Sequence, residues 1–479
     1  MTIPFEASIA DLRAGLEAGY FTTLELTTYF LDRIARLDAG KLNSVRQTNP
    51  DALEIARTLD AERATGRVRG ALHGIPVLLK DNIDTADGLH TTAGSCTLQG
   101  HVAQADAHLV ARLRAAGALV LGKANMTEWA NFITTGMPNG YSSLGGQVKN
   151  PYGAFDVGGS SSGSGASVGA YLAPVAVGTE TSGSILSPSV SNSLVGIKPT
   201  LGLISRRGVI PIASSQDTAG PMARSVADAA ALLTVLAGRD PEDAATARAP
   251  EGVDYTAFLE PDGLRGARLG IPRAYYWDFL KPEQRAVVES ALEAIKDCGA
   301  EILDADIESA KAVADLGYAV LVYEFRRDLD AYLSRLEAGA FPRSLFEVIR
   351  LNEANFQTNL KYGQTLLLAA QSAAGVDSAY YRQTRADDLR LSTTDGGIDA
   401  TLERHGVDAL VLPMYWGAQI GAKAGYPTVT VPAGYTQDGQ PVGISFMGRA
   451  WSEGQLIRYA HAFEVATRAR RAPVLEENS

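Results

Sequence analysis

Residues 158–191 read GGSSSGSGASVGAYLAPVAVGTETSGSILSPSVS, a stretch with ten serines, seven glycines and no His, Lys, Cys or Arg. Serine and glycine at this density usually make a flexible linker. A linker would not enclose the apolar run AYLAPVAVG, which is of the buried-strand type, nor continue into LVGIKPTLGLI. The glycines therefore predict backbone brought close to something, and the serines predict chemistry. A serine nucleophile needs a base, and the stretch contains none, so the base must come from elsewhere in the chain.

Upstream, GALHGIPVLLKDNIDTADG carries the compact apolar run Ile75–Leu79, which reads as a buried strand ending at Lys80. An ammonium is rarely buried without a partner, and pairing with Asp81 or Asp84 is the plain explanation for this one. Further out, ADAHLVARLRAAGALVLGK reads as a helix, a glycine cap at Gly117 and a strand. Such helix-to-strand alternation predicts an α/β architecture with at least partly parallel pairing. Ser8 with Asp11, and Thr22 with Glu25, have the spacing of capping boxes opening the first two helices. The segment NMTEWANF is expected to form a short helix. The chain divides into N-terminal helices (1–67), a core bearing the serine stretch (68–240), a helix-rich region (264–406) and closing strands with a final helix (407–470). The strands YPTVTVP and QPVGISFMG flank a Gln-Asp-Gly-Gln hairpin turn.

Composition removes several classes of function. The net charge of −11, with no Lys/Arg cluster, argues against nucleic acid as a ligand. Cys96 and Cys298 cannot make a disulfide framework. The first residues lack the basic and apolar regions of a signal peptide, and no apolar run approaches the ~20 residues of a membrane helix. A cytoplasmic enzyme acting away from membranes is expected. The six histidines show no HExxH spacing and there is no Cys-x-x-Cys, so no metal or other cofactor is expected.

Common glycine-rich motifs do not account for the serine stretch. No Lys follows the glycines as a phosphate-binding loop requires, and a dinucleotide fingerprint fails at Val168. The nucleophile elbow GxSxG matches twice, around Ser161 and Ser167, which shows how little it discriminates in such a tract. An α/β-hydrolase-like esterase using Ser161, with His405 or His461, stays as an alternative. The other arrangement uses Lys80 with two serines, one relaying the proton of the other. It requires the lysine pKa to fall by about 3 units, which burial can produce. It also requires converging amides for an oxyanion, for which the turn TETSGSI is suited.

VGGSSSGSGASVGAYLAPVAVGTETSGSILSPS, followed by LVGIKPTLGLISRRGVIPIASSQDTAGPMARSVADAA, resembles the signature of the amidase signature family of serine hydrolases. HGIPVLLKDNI and GKANMTEWAN upstream, and AGYPTVTVPAGY and GQPVGISFMG downstream, are similar to further blocks of that family. The resemblance implies one large domain, residues 1–479, built on a twisted mixed sheet with helices on both faces. It implies Lys80 as base, Ser160 as a bridging serine on a cis peptide bond, and Ser184 as nucleophile. The amides of Thr181, Ser182, Gly183 and Ser184 would furnish the oxyanion hole. The implied reaction is cleavage of a carboxamide through an acyl-enzyme, without cofactor, on a small-molecule or peptide amide, by a monomer or homodimer.

GTETSGSIL departs from the frequent GTDTGGSIR at Glu180, Ser182 and Leu186. A side chain at Ser182 restricts the backbone of an oxyanion-hole residue, which makes that loop the place to look for strain, and Leu186 in place of arginine argues against a site built for a carboxylate there. The variant is most similar to the branch containing bacterial peptide amidases, although the segment 412–425 is short for it. Met126, Tyr415 and Trp416 are candidate substrate-lining residues. The glutaminase component of a tRNA-dependent amidotransferase is the alternative from another class.

Overall fold

The computed structural model describes residues 3–475. Apolar runs between Val45 and Met447 become eleven strands of one sheet. In chain order they are β1 (Val45–Thr48), β2 (Pro76–Lys80), β3 (Leu119–Ala124), β4 (Val175–Glu180), β5 (Val195–Lys198), β6 (Thr218–Ala223), β7 (Arg268–Ile271), β8 (Glu301–Asp304), β9 (Ala409–Pro413), β10 (Thr428–Tyr435) and β11 (Pro441–Met447). Across the sheet the order is β1-β3-β2-β4-β6-β5-β10-β11-β9-β7-β8. Pairing is mixed. β2 runs parallel to β3 and β4, the strands from β4 through β6, β5, β10 and β11 to β9 are antiparallel neighbours, and β9, β7 and β8 are parallel.

β2, β3, β4 and β6 are buried at every position, so both faces of the central sheet are covered. Val77, Leu78 and Leu79 are fully buried, each contributing roughly 1.5–3 kcal/mol. That burial lets the strand carry a lysine at its end. The capping boxes at Ser8 and Thr22 form as their spacing predicts, and β10 and β11 make the expected antiparallel hairpin.

One local expectation changes. NMTEWANF is not a regular helix: Glu128–Asn131 is one tight turn in which Trp129 and Ala130 take left-handed backbone, φ 49° and 52°. The Trp129 N–H there donates to the Ala93 carbonyl and the indole is buried, which fixes the turn. QDTAGPMA supplies β6 despite its glycine and proline. Pro221 is tolerated because it pairs only with β4, opposite Val177, whereas β5 begins its pairing one residue later at Met222. The short 412–425 segment contains the helix Ala418–Ala424, ended by Gly425 in left-handed conformation.

The helix-rich region builds a second, smaller core. Leu321, Phe325, Leu345 and Leu367 pack there with Trp129, Phe132, Ile133 and Ile210 from the first half of the chain. This cluster roofs the end of β4, where the serine stretch turns.

Candidate active site

The serine stretch folds as a helix, Ser162–Gly169, then β4, then a turn into the helix Leu186–Ser191. Two features explain its glycines. A side chain at Gly163 would meet the carbonyl oxygens of Asn125 and Ser44 at 2.3 Å, so only glycine lets that helix approach the strand-end loops. Gly183 sits at φ 86°, a conformation that favours glycine. Ser182, next to it, does not take left-handed backbone.

Lys80 is fully buried at the end of β2. Its Nζ donates to Ser160 Oγ at 2.7 Å, to Thr179 Oγ1 at 2.9 Å and to the Thr179 carbonyl at 3.2 Å. Burial pushes its pKa down to about 7, against the opposing negative charges of Glu180 and Asp217. The carboxylates next to it in sequence are engaged elsewhere. Asp81 pairs with Arg46 at 2.7 Å, and Asp84 accepts from the Tyr332 hydroxyl at 2.7 Å. The plain salt-bridge reading of Lys80 is thereby removed.

The Gly159–Ser160 peptide bond is cis. The Ser160 carbonyl accepts from the Thr127 N–H at 3.0 Å, and the Ser161 N–H donates to the Ser184 carbonyl at 3.2 Å, which ties the two serine-bearing loops together. The turn carrying Ser184 is held by Glu180, whose Oε2 accepts from the Ile185 N–H at 2.7 Å and the Leu186 N–H at 3.0 Å. Burial raises the Glu180 pKa, while those amides and the Lys198 ammonium oppose the rise.

Ser184 opens onto a cavity of about 270 Å³, together with Gly159, Thr181 and Ser182. Its apolar walls include Phe132, Met137, Ile212, Tyr318 and Leu321, and none of its lining residues bears a formal charge. A second cavity of about 380 Å³ shares Ala130, Thr181 and Ile212 with the first. Its walls are charged, with Arg206, Asp217, Asp328 and Arg335, and it reaches Thr179 and Asn82 beside Lys80.

The other sequence candidates are placed as follows. Tyr415 lies over Gly183, with its ring carbons 3.7 Å from where a Cβ would project. Met126 is fully buried and is not among the lining residues, where Met137 stands instead. Trp416 packs edge-on to Phe279 in a separate aromatic pocket with Tyr275 and Tyr276. Leu186 is fully buried and is not among the residues lining the cavity at Ser184. Ser161, the alternative nucleophile, is fully buried. Its Oγ donates to the Thr179 carbonyl at 3.0 Å and accepts from the Thr179 N–H at 3.2 Å, which sets the elbow reading aside. Sequence reasoning did not single out Thr179, Asn82 or Asp217. The signal lay in GTET, KDN and QDT, polar residues at or beside the ends of buried strands.

The sequence model of the Amidase family matches residues 25–457. The chain belongs to the amidase family. The native peptide amidase from Stenotrophomonas maltophilia superposes with a TM-score of 0.93 at 46% identity, over 98% of this chain and 99% of that one. A probable amidase of Arabidopsis thaliana is 41% identical over 98% of this chain and 91% of its own length. A glutamyl-tRNA(Gln) amidotransferase component from Acinetobacter baumannii is more distant, 35% identical over the full length of both chains. This amidase is an amide-hydrolysing enzyme with the large mixed-sheet fold of its solved relatives. Among its described residues there is no cluster of metal-ligating side chains, and no helix is long and apolar enough to cross a membrane.

Proposed function

We propose that this amidase cleaves neutral carboxamides through a Ser184 acyl-enzyme, with Lys80 as the base and Ser160 as the relay. The observation that carries the reading is the Lys80 Nζ to Ser160 Oγ hydrogen bond at 2.7 Å from a buried amine whose pKa lies at about 7. Neutral Lys80 takes the Ser160 proton as Ser160 takes that of Ser184. Ser184 Oγ then bonds to the amide carbon, and the oxyanion meets the amides of residues 181–184. The proton returns along the relay to the leaving nitrogen, the C–N bond breaks, and water attacks the ester by the same route in reverse. Water thereby supplies the oxygen of the acid product and the proton that regenerates Ser184.

The uncharged cavity, walled by both hydroxyl-bearing and apolar side chains, supports a substrate that is neutral around the reacting carbonyl, such as the C-terminal carboxamide of a peptide. Lodged within the cavity at Ser184, the zwitterionic end of free glutamine would find no opposing charge. The test is a panel of peptide amides, aliphatic amides and glutamine, scored by ammonia release, with a fluorophosphonate adduct mapped by peptide sequencing. Ser184→Ala and Lys80→Ala should abolish turnover, and the adduct should sit on Ser184. Hydrolysis of glutamine in preference to apolar carboxamides would overturn the substrate assignment, and an adduct on Ser161 would overturn the site.

A further inference from the structure

Asp217 immediately precedes β6 and Thr181 immediately follows β4. The two strands pair antiparallel as far as Glu180 opposite Thr218, so Thr181 and Asp217 occupy the next rung, beyond the last backbone pair. Side chains continue the ladder there. Thr181 Oγ1 donates to Asp217 Oδ1 at 2.5 Å. The other carboxylate oxygen accepts the N–H groups of Ile212 and Ala213, both at 2.9 Å. Thr181 and Ile212 are two of the three residues lining both cavities. One nearly buried carboxylate therefore holds the end of the strand that leads to Ser184 and the loop that walls the substrate cavity.

We infer that Asp217 is a positioning residue that fixes the Thr181 amide for the oxyanion. The inference rests on the assignment of Ser184 and the 181–184 amides proposed above. Without the tether, Thr181 is the first residue beyond the strand and has no rung to set its peptide plane. A donor that must reorient as charge develops on the carbonyl oxygen loses part of its benefit, and that benefit exists only in the transition state. Three donors converge on the two carboxylate oxygens of Asp217, so both act as acceptors. The chemistry asks only that Asp217 accept these bonds; it neither touches substrate nor exchanges a proton with it.

The experiment compares Thr181→Val, Thr181→Ser, Asp217→Asn and the double variant Asp217→Asn/Thr181→Val. Valine keeps the shape of threonine and removes the hydroxyl; serine keeps the hydroxyl. Expected for Thr181→Val is a fall in kcat of about tenfold to a hundredfold with KM changed by less than about threefold. Inhibition by a peptide aldehyde, whose hemiacetal oxygen mimics the oxyanion, should weaken in step with kcat. Thr181→Ser should recover kcat relative to valine. The double variant should lose no more than the worse single variant, because both remove one tether. Unchanged kcat and aldehyde affinity in Thr181→Val, a KM effect alone, or losses that multiply in the double variant would overturn the inference. Circular dichroism checks Asp217→Asn; if it does not fold, the Thr181 pair decides. Ser184→Ala separates the two levels: retained turnover there defeats the nucleophile assignment itself, whereas its abolition with an indifferent Thr181→Val defeats only the role of Asp217.

Discussion

Thr179→Val tests the claim that Lys80 works as a neutral base. In the wild-type enzyme the Lys80 pKa near 7 places a rising limb in the pH profile of kcat/KM. The base is active when deprotonated, so activity is lost as pH falls. With that midpoint the neutral fraction drops about tenfold between pH 8 and pH 6, and about tenfold more by pH 5. Holding the ammonium instead at its usual value would need about 5 kcal/mol more stabilisation of the charged form than this site supplies. Thr179 Oγ1 provides part of what stabilisation there is, accepting from Nζ at 2.9 Å. Hydrogen bonds from a charged donor are worth about 1.5–3 kcal/mol and those from a neutral donor about 1, so the hydroxyl favours the ammonium by roughly 1 kcal/mol. Valine removes the hydroxyl, keeps the shape and adds a methyl group. Both effects disfavour the charge, and the midpoint should move down by about half to one pH unit. Asp217 also titrates near 7, raised by burial, so a limb by itself does not identify Lys80; its downward displacement in Thr179→Val does. The assay is initial rate on an apolar peptide amide from pH 5 to 9 in buffers of constant ionic strength. A midpoint that stays in place or moves up, or a wild-type rate indifferent to pH across that range, would refute the reasoning.

Ser161→Ala should keep fluorophosphonate labelling and most turnover but lower stability by about 1–3 kcal/mol, read by denaturant melts, because it strips the Thr179 backbone of a buried partner. Gly183→Ala forces a side chain into φ 86° at a cost of about 1–2 kcal/mol; kcat should fall more than substrate affinity, measured by steady-state kinetics. Asp388→Asn leaves the Lys423 ammonium buried between the helices Ala379–Ser392 and Ala418–Ala424 without its counter-charge. Stability should fall by about 3–5 kcal/mol, with the fluorophosphonate adduct still on Ser184; a melting curve matching wild type would contradict the pairing.

Much of this protein was legible because its chemistry lies in local patterns. Lys80 stands at the end of an apolar run, and a lysine in that place is conspicuous wherever the strand is buried. Capping boxes, the β10–β11 hairpin and the glycine at 183 follow from short-range geometry that sequence spacing encodes directly. β6 was hidden because Gly220 and Pro221 argue against a strand until the pairing of each neighbour is known. Met126 and Trp416 looked equally suitable as lining, yet one is interior and the other serves a different pocket. Apolar side chains carry no mark of which cavity they face.

The sequence by itself determined the family, the sheet-and-helix class and the set of serines and lysine from which the proposed site is assembled. It did so because those residues cluster in contiguous blocks whose backbone needs are local. Only the tertiary structure decided which carboxylates leave Lys80 free, which serine is already occupied, and that Thr181 meets Asp217. Partners 36 or 80 residues apart are brought together by strand order in the sheet. That order is set by summed burial over the whole molecule, not by any segment read alone.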